Sequence, residues 1–271
     1  MKPRAAKPSL VVIGNGMAGM RTVEELHKLA PELYDITVFG AEPHVNYNRI
    51  LLSPVLAGEK KAEDIVLHPR EWYDAHGIAL YSGDPVVRID RIRRTVHSQS
   101  GREVRYDRLL LATGSRPFIV PVPGHELPGV VGFRDLDDVD TMLQAAATGR
   151  HAVVIGGGLL GLEAANGLKR RGMDVTVVHV TDSLMNQQLD KHASLLLKGA
   201  LEDKGLRFML DAHTAEITGN GRVAGVRFRD GAEIPADLVV MAAGVRPNIA
   251  LARDSGLHCD RAIVVDDTLQ T

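Results

Sequence analysis

Val11-Val12-Ile13-Gly14-Asn15-Gly16-Met17-Ala18-Gly19 and Val153-Val154-Ile155-Gly156-Gly157-Gly158-Leu159-Leu160-Gly161 decide the reading of this chain. Each is a short β-branched run that ends in G-x-G-x-x-G and opens into a stretch of helical pattern. One such motif is a weak signal, because glycines punctuate many loops. Two, each in strand-to-helix context, point to a protein that holds two dinucleotides. Two dinucleotides in one chain point to electron transfer between them.

The duplication extends outward from the glycines. Met17 to Ala30 reads as an amphipathic helix leading to the strand Ile36-Thr37-Val38-Phe39, and Leu159 to Gly172 leads in the same way to Val175-Thr176-Val177-Val178. A β-α-β order forces a parallel sheet. Each copy closes with a similar phrase, Tyr106 to Pro117 in the first and Ala236 to Pro247 in the second. Between the copies, Pro117 to Gly132 is rich in proline and glycine and marks a crossover. Helices are expected over Asp135 to Thr148 and Asp190 to Lys204. Arg207 to Phe228 alternates around a Gly219-Asn220-Gly221 turn, and Val86 to Val104 turns near Ser100-Gly101, so each copy is expected to carry an antiparallel insertion. The expected fold is therefore α/β, with two doubly wound Rossmann-like dinucleotide-binding units in series, each with a small antiparallel β meander.

Composition fits this architecture and excludes others. Of 271 residues, 45% are hydrophobic and 24% charged, and the formal net charge is -2 with both signs interspersed. No run of like charge suggests a nucleic-acid arm or a membrane-surface stripe. No apolar run approaches a membrane span. The basic lead Met1 to Ser9 lacks the apolar core of a signal peptide, so a cytoplasmic protein is expected. Cys259 is the single cysteine. It permits no internal disulfide and no C-x-x-C redox pair, and its neighbours His258 and Asp260 do not make a nucleophile's triad.

In each motif the first glycine makes the tight turn, the second lets backbone approach a pyrophosphate, and the third lets helix and strand pack closely. Gly14, Gly16 and Gly19 are thus expected to cradle one pyrophosphate, and Gly156, Gly158 and Gly161 another, each at a helix N-terminus with its free N–H groups and positive dipole end. An acidic residue near the end of the second strand normally takes the ribose hydroxyls. In the first copy Glu42 is either that residue or an exposed turn glutamate. In the second copy the position is His179, which removes the charge that repels a 2′-phosphate and leaves NADH and NADPH both open. The segment Glu42 to His76 has no counterpart in the second copy. Its His44, Asn46, Tyr47, Asn48 and Arg49 either face the ligand crevice or form an ordinary surface loop.

The paired motifs, together with Asn46-Tyr47-Asn48-Arg49-Ile50-Leu51-Leu52-Ser53, Leu111-Ala112-Thr113-Gly114-Ser115-Arg116-Pro117, Gly156 to Glu163, Gln188-Leu189-Asp190 and Gly244-Val245-Arg246-Pro247-Asn248, resemble the two-dinucleotide flavoprotein reductases. The resemblance covers nearly the whole chain and is greatest to the N-terminal FAD/NAD(P)H module of assimilatory nitrite reductase large subunits. Rubredoxin and ferredoxin reductases share most of it and form the alternative. It implies an FAD-binding unit over residues 1–117, an NAD(P)H-binding unit inserted over 118–244, and a return to the first unit over 245–271. It implies hydride transfer from NAD(P)H to FAD, then electron transfer to an iron–sulfur or siroheme domain, or to a small iron protein. By resemblance, FAD contacts come from Gly14, Gly16, Gly19, Glu42, Arg49, Val86, Thr113, Gly114 and Arg134. Glu163 matches a glutamate near the nicotinamide, with an ordinary helix position as the other reading, and Gly244 matches a backbone contact to the same cofactor. Hydride transfer needs no protein acid or base, so no catalytic side chain is expected.

This sequence departs from the pattern in three places. Asn46 to Ser53 carries no cysteine pair, which excludes the disulfide-reducing branch. His179 leaves the nicotinamide open. The family runs on past a segment like Ile263-Val264-Val265-Asp266-Asp267 to a Gly-Asp contact with FAD, whereas these residues stop at Thr271. A fragment or truncation with weakly retained FAD is the expectation, and a nucleotide-binding module without turnover is its limiting case.

Overall fold

The computed structural model describes residues 7–271, so the first six residues of the basic lead lie outside the described part. In chain order the elements begin β1 (Ser9–Ile13), α1 (Met17–Leu29), β2 (Asp35–Gly40), β3 (Asn46–Tyr47), α2 (Leu52–Leu56), β4 (Val66–His68), α3 (Arg70–Ala75), β5 (Ala79–Ser82), β6 (Val86–Asp90), β7 (Thr95–Ser98), β8 (Glu103–Arg105), β9 (Arg108–Leu111) and β10 (Ser115–Pro117). They continue β11 (Val130–Val131), α4 (Leu136–Thr148), β12 (His151–Ile155), α5 (Leu159–Arg170), β13 (Asp174–Val178), α6 (Lys191–Glu202), β14 (Arg207–Met209), β15 (Thr214–Gly219), β16 (Val223–Phe228), β17 (Glu233–Pro235), β18 (Leu238–Met241), β19 (Val245–Pro247) and α7 (Ala250–Asp254). Two compact units result. The first comprises residues 7–48, 66–115 and 247–271, and the second 49–65 and 116–246. Residues 49–65 thus group with the second unit, whereas the sequence reading keeps them in the first.

The first unit is built on a parallel sheet ordered β5-β2-β1-β9. Val11 and Val12 of β1 pair with Thr37 and Val38 on one side and with Leu109 and Leu110 on the other. β1 is therefore central, and its β-branched residues are fully buried. One sheet face packs on Met20 and Val23 of α1 and on Tyr73 of α3. The other packs Val11, Ile13 and Phe39 against the β6-β7-β8 meander through Ile89 and Val96.

The second unit repeats the plan with one strand more, ordered β11-β18-β12-β13-β14. Val153 and Val154 pair with Thr176 and Val177, and on the other side with Val239 and Val240. Its meander is β15-β16-β17, which buries Ile217, Val226 and Phe228 on the sheet. Arg207–Met209 departs from expectation here. It is not part of the meander but a parallel edge strand, with Val177 opposite Phe208. Three alternating residues suit either role, and the pairing with β13 decides it.

A shared device closes both sheets. Asp107 lies just before β9, and its Oδ2 accepts the Ser9 N–H at 2.7 Å. Asp237 lies just before β18, and its Oδ2 accepts the N–H groups of Arg150 at 2.7 Å and His151 at 2.8 Å. These backbone donors hold both carboxyls below the usual carboxylate range. Among the described residues no helix is long and apolar enough to cross a membrane.

Candidate functional site

In both sheets the central strand hands its chain to neighbours on opposite sides, and the two G-x-G-x-x-G loops lie at the carboxyl ends of those strands. A doubly wound sheet opens its ligand crevice at this point. The three glycines of each loop are visibly different. A Cβ on Gly14 (φ 120°) would lie 2.0 Å from the Ala112 carbonyl oxygen, and on Gly156 (φ 130°) 2.3 Å from that of Ala242. A Cβ on Gly19 would lie 2.5 Å from the Gly14 oxygen, and on Gly161 2.0 Å from the Gly156 oxygen. The outer glycines are thus required by the protein's own backbone. Gly16 and Gly158 have nothing within 4 Å of a Cβ and have extended, unstrained backbone. Packing therefore does not require glycine at these two positions.

The helices that follow are also left open. α1 and α5 have no side-chain N-cap and no acidic residue in the first turn. α4 and α6 are capped by Asp135 and Asp190, whose carboxylates accept the N–H groups of Asp138 and Ala193. Helix N-termini normally find acceptors for their free N–H groups. At α1 and α5 those donors and the positive dipole end face the glycine loop, which is the arrangement that takes an anion.

In the second unit the loop borders a crevice of about 610 Å³. Gly156 to Leu160 form one wall, with His179, Met185, Thr214 and Ala242 to Gly244 around it. Gly244 has φ 113° and open space at its Cβ position, so backbone is exposed there. His179 lines this crevice and is also engaged with the loop through one ring nitrogen. Its Nδ1 accepts the Gly157 N–H at 3.1 Å, and a Cβ on Gly157 would lie 2.9 Å from its Cγ. Burial lowers its pKa, opposed by the nearby Ser183 backbone. Nδ1 as acceptor places the ring proton on Nε2, which is buried without a hydrogen-bond partner. The Thr214 hydroxyl on the same crevice is also unpartnered.

Glu163, on α5, accepts the Ser53 hydroxyl at 2.6 Å. In the sequence Ser53 stands out only as the end of the Asn46–Ser53 motif, and nothing in a separation of 110 residues signals its pairing with Glu163. Ser53 is brought there by α2, which packs tightly on α5: a Cβ on Gly167 would lie 2.7 Å from Leu56 Cγ. Arg171 adds to the fit, donating to the carbonyls of Leu56 at 2.6 Å and Val55 at 3.0 Å. Arg49 and Arg134 also lie in the second unit. Arg49 donates to the Arg134 carbonyl at 2.8 Å, while the Arg134 N–H is held by Asp138 at 2.6 Å. Burial, reinforced by the Asp135 carboxylate, pushes Asp138 up to about 6.

In the first unit the remaining expected residues divide. Gly114 (φ 66°) has open space at its Cβ position. Thr113 is engaged with Asn248 in a reciprocal pair, its hydroxyl donating at 2.8 Å to the Asn248 carbonyl and its own carbonyl accepting the Asn248 amide at 2.9 Å. Glu42 accepts the Tyr47 hydroxyl at 2.5 Å, and Val86 is buried at the start of the meander. A cavity of about 700 Å³ runs along β9 and reaches Thr113 and Gly114, but none of Gly14, Gly16 and Gly19 lines it. It is therefore not the cradle itself.

Residues 8–271 match the family described as pyridine nucleotide-disulphide oxidoreductases. The chain belongs to that family. As a pyridine nucleotide-disulphide oxidoreductase it has only Cys259, so its membership rests on the nucleotide-binding architecture and not on a redox disulfide. It is 51% identical over 265 residues to a nitrite reductase (NAD(P)H) of Bacillus subtilis, covering 98% of this chain and 33% of that protein. It is 49% identical over 265 residues to the assimilatory nitrate reductase electron transfer subunit of the same organism, covering 98% of this chain and 34% of that protein. The chain thus spans about a third of the length of these relatives. Among solved structures, the covalent putidaredoxin reductase–putidaredoxin complex matches with a TM-score of 0.91 at 29% identity, over 98% of this chain and 65% of that one.

Proposed function

We propose that this chain is the electron-input module of a nitrite or nitrate assimilation enzyme. Its first unit takes FAD and its second takes NAD(P)H, and electrons leave for an iron acceptor, either an iron–sulfur or siroheme domain or a small iron protein. The observation that carries the reading is the duplicated cradle, whose outer glycines are closed by the chain's own backbone, whose middle glycine is open, and whose helix is left uncapped. The names of the relatives at 51% and 49% identity favour nitrite and nitrate assimilation over the ferredoxin reductase alternative. With reduced nicotinamide as its donor, we assign the module to the cytoplasm.

Bound FAD and NAD(P)H supply the hydride chemistry and the step down to single electrons. The chain's own residues bind and orient. Backbone around Gly16 and the first turn of α1 would hold the FAD pyrophosphate, and the same elements at Gly158 and α5 would hold that of NAD(P)H. Ser53 directs the Glu163 carboxylate, which would steady the nicotinamide end, with Gly244 offering backbone there. Gly114 would lie along the flavin nucleotide, and Glu42, presented by Tyr47, would take its ribose. Arg49, Val86, Thr113 and Arg134 remain assigned to FAD on the family pattern. His179, neutral and turned onto Gly157, puts neither a repelling nor an attracting charge beside a 2′-phosphate, so both nicotinamides are accepted. Orientation accounts for the chemistry without a proton-transferring side chain.

The test is the visible spectrum of the FAD-reconstituted full chain under anaerobic conditions. A flavin spectrum bleached by stoichiometric NADH or NADPH is expected. A colourless protein that takes up no FAD, or a flavin that neither nicotinamide bleaches, would overturn the reading.

A further inference from the structure

The two phosphate loops hold the residue between their first two glycines by the same contact made with different atoms. In the second loop the Gly157 carbonyl accepts the backbone N–H of Met185 at 2.9 Å. In the first loop the Asn15 carbonyl accepts the side-chain amide of Asn46, Nδ2, at 2.9 Å. Asn15 is further held by the Tyr73 hydroxyl, which donates to its Oδ1 at 2.7 Å, and by its own Nδ2, which donates to the His44 carbonyl at 3.2 Å. A backbone N–H has one direction. An asparagine amide turned by half a revolution would set an oxygen against the Asn15 carbonyl, acceptor against acceptor. The first loop therefore needs something that fixes which way Asn46 faces.

His68 is placed to do this. Its Nδ1 lies 2.9 Å from Asn46 Oδ1 and its Nε2 lies 2.7 Å from Glu24 Oε1. Because Asn46 Nδ2 is committed to Asn15, Oδ1 is the acceptor and His68 Nδ1 must be the donor. Glu24 lies on α1, the helix that the loop opens into, so the contacts close a ring from α1 through His68 and Asn46 back to the loop. The two inner members of the ring are buried, Asn46 at 1% exposure and His68 at 6%, while Glu24 reaches the surface. Trp72 packs against the imidazole in a tilted contact with ring centroids 4.2 Å apart, Tyr73 borders it, and Arg21 holds Glu24 at 2.8 Å from the solvent side.

We infer that His68 is a positioning residue for the first phosphate loop, orienting the Asn46 amide so that the Asn15 carbonyl is held and the loop keeps the shape that receives a pyrophosphate. The inference rests on the assignment of that loop to FAD. It is tested with His68→Gln, whose amide reaches the Glu24 side but not Asn46, and His68→Asn, whose amide stands where Nδ1 stood. FAD dissociation constants are read from flavin fluorescence, and NADP+ binding to the second unit serves as a control on folding. Losing one buried, oriented hydrogen bond is expected to weaken FAD binding about fivefold to tenfold in His68→Gln, with His68→Asn within about twofold of wild type and NADP+ binding unchanged in both. Wild-type FAD affinity in His68→Gln would overturn the inference. So would equal losses in the two variants, since that would mark a merely structural residue. Failure of the wild-type chain to bind FAD at all would instead overturn the cofactor assignment.

Discussion

A single methyl group, placed in turn on each glycine of the second cradle, separates what folding needs from what the ligand needs. Gly161→Ala would put a carbon 2.0 Å from the Gly156 oxygen and 3.2 Å from Ala242 Cβ. Gly156 has little room to retreat, since its own N–H donates to the Val178 carbonyl at 2.9 Å. A shift of more than 1 Å at the helix–strand contact is needed, which puts the loss of stability at the upper end of overpacking, about 3 kcal/mol. Gly156→Ala adds a disfavoured positive φ to a comparable collision with Ala242 and should do at least as much damage. Gly158→Ala meets nothing within 4 Å and keeps an extended φ of -84° that alanine adopts freely. Its effect on stability should stay within about 1 kcal/mol, the difference between glycine and alanine at an N-cap partly offset by a less flexible unfolded chain. If this loop holds a pyrophosphate as proposed, the same methyl would crowd it and push at least one charge-assisted hydrogen bond out of range. At about 1.5–3 kcal/mol per bond, NADP+ binding should weaken roughly 10- to 100-fold. Urea denaturation and calorimetric titration of the purified variants of this chain measure the two effects separately. If Gly158→Ala bound NADP+ normally, or lost as much stability as Gly161→Ala, the division of labour among the glycines would be wrong.

Three other perturbations follow from the same geometry. Ser53→Ala leaves the Glu163 carboxylate without its donor and should raise the KM for NAD(P)H by about threefold to tenfold with the FAD dissociation constant unchanged, while Ser53→Thr stays near wild type; steady-state reduction of ferricyanide reads the difference. Asp138 has a folded pKa of about 6, above its ordinary 3.8, so the folded state binds more protons than the unfolded one between these values and stability should fall as pH rises through that window. Asp138→Asn keeps an acceptor for the Arg134 N–H, and for this half-buried group it should gain about 1 kcal/mol at pH 7 and nothing at pH 4, as seen in denaturant midpoints. Tyr73, pushed up to about 12 by burial, should hold its proton as pH rises while the unfolded chain loses its own near pH 10, so stability is lost between those values. Tyr73→Phe should remove that alkaline loss and, at pH 7, cost about 1 kcal/mol for the missing bond to Asn15, with absorbance at 295 nm following the ionisation.

The parts that were legible in the sequence are those whose causes are local. Gly14 and Gly156 make the tight turns, Val11-Val12-Ile13 and Val153-Val154-Ile155 need a strand buried on both faces, and the helices expected from Asp135 and from Asp190 begin directly after those residues. Each of these is written within a few residues of its effect. Arg207–Met209 was not legible in this way, because its alternation is satisfied equally by an antiparallel meander and by a parallel edge. Only the partner, β13, distinguishes them. The identity of His179 was visible but its direction was not. An imidazole at a strand end can face a ribose or turn onto the preceding loop, and the bare Cα of Gly157, with no room for a side chain, lets it turn. The two loops show why such clamps escape a reading by motif. Duplication preserves the glycines because both copies must solve the same steric problem in the same backbone. It does not preserve the atoms that hold the residue between the first two glycines, since any donor of the right reach will do. One copy uses Met185 N–H, 28 residues beyond Gly157, and the other uses Asn46, 31 residues beyond Asn15 and itself oriented by His68. Conserving the contact while exchanging its donor gives the first loop a dependence on a buried side chain that the second loop lacks. For that reason a substitution at His68 should be felt at one nucleotide site and not at the other.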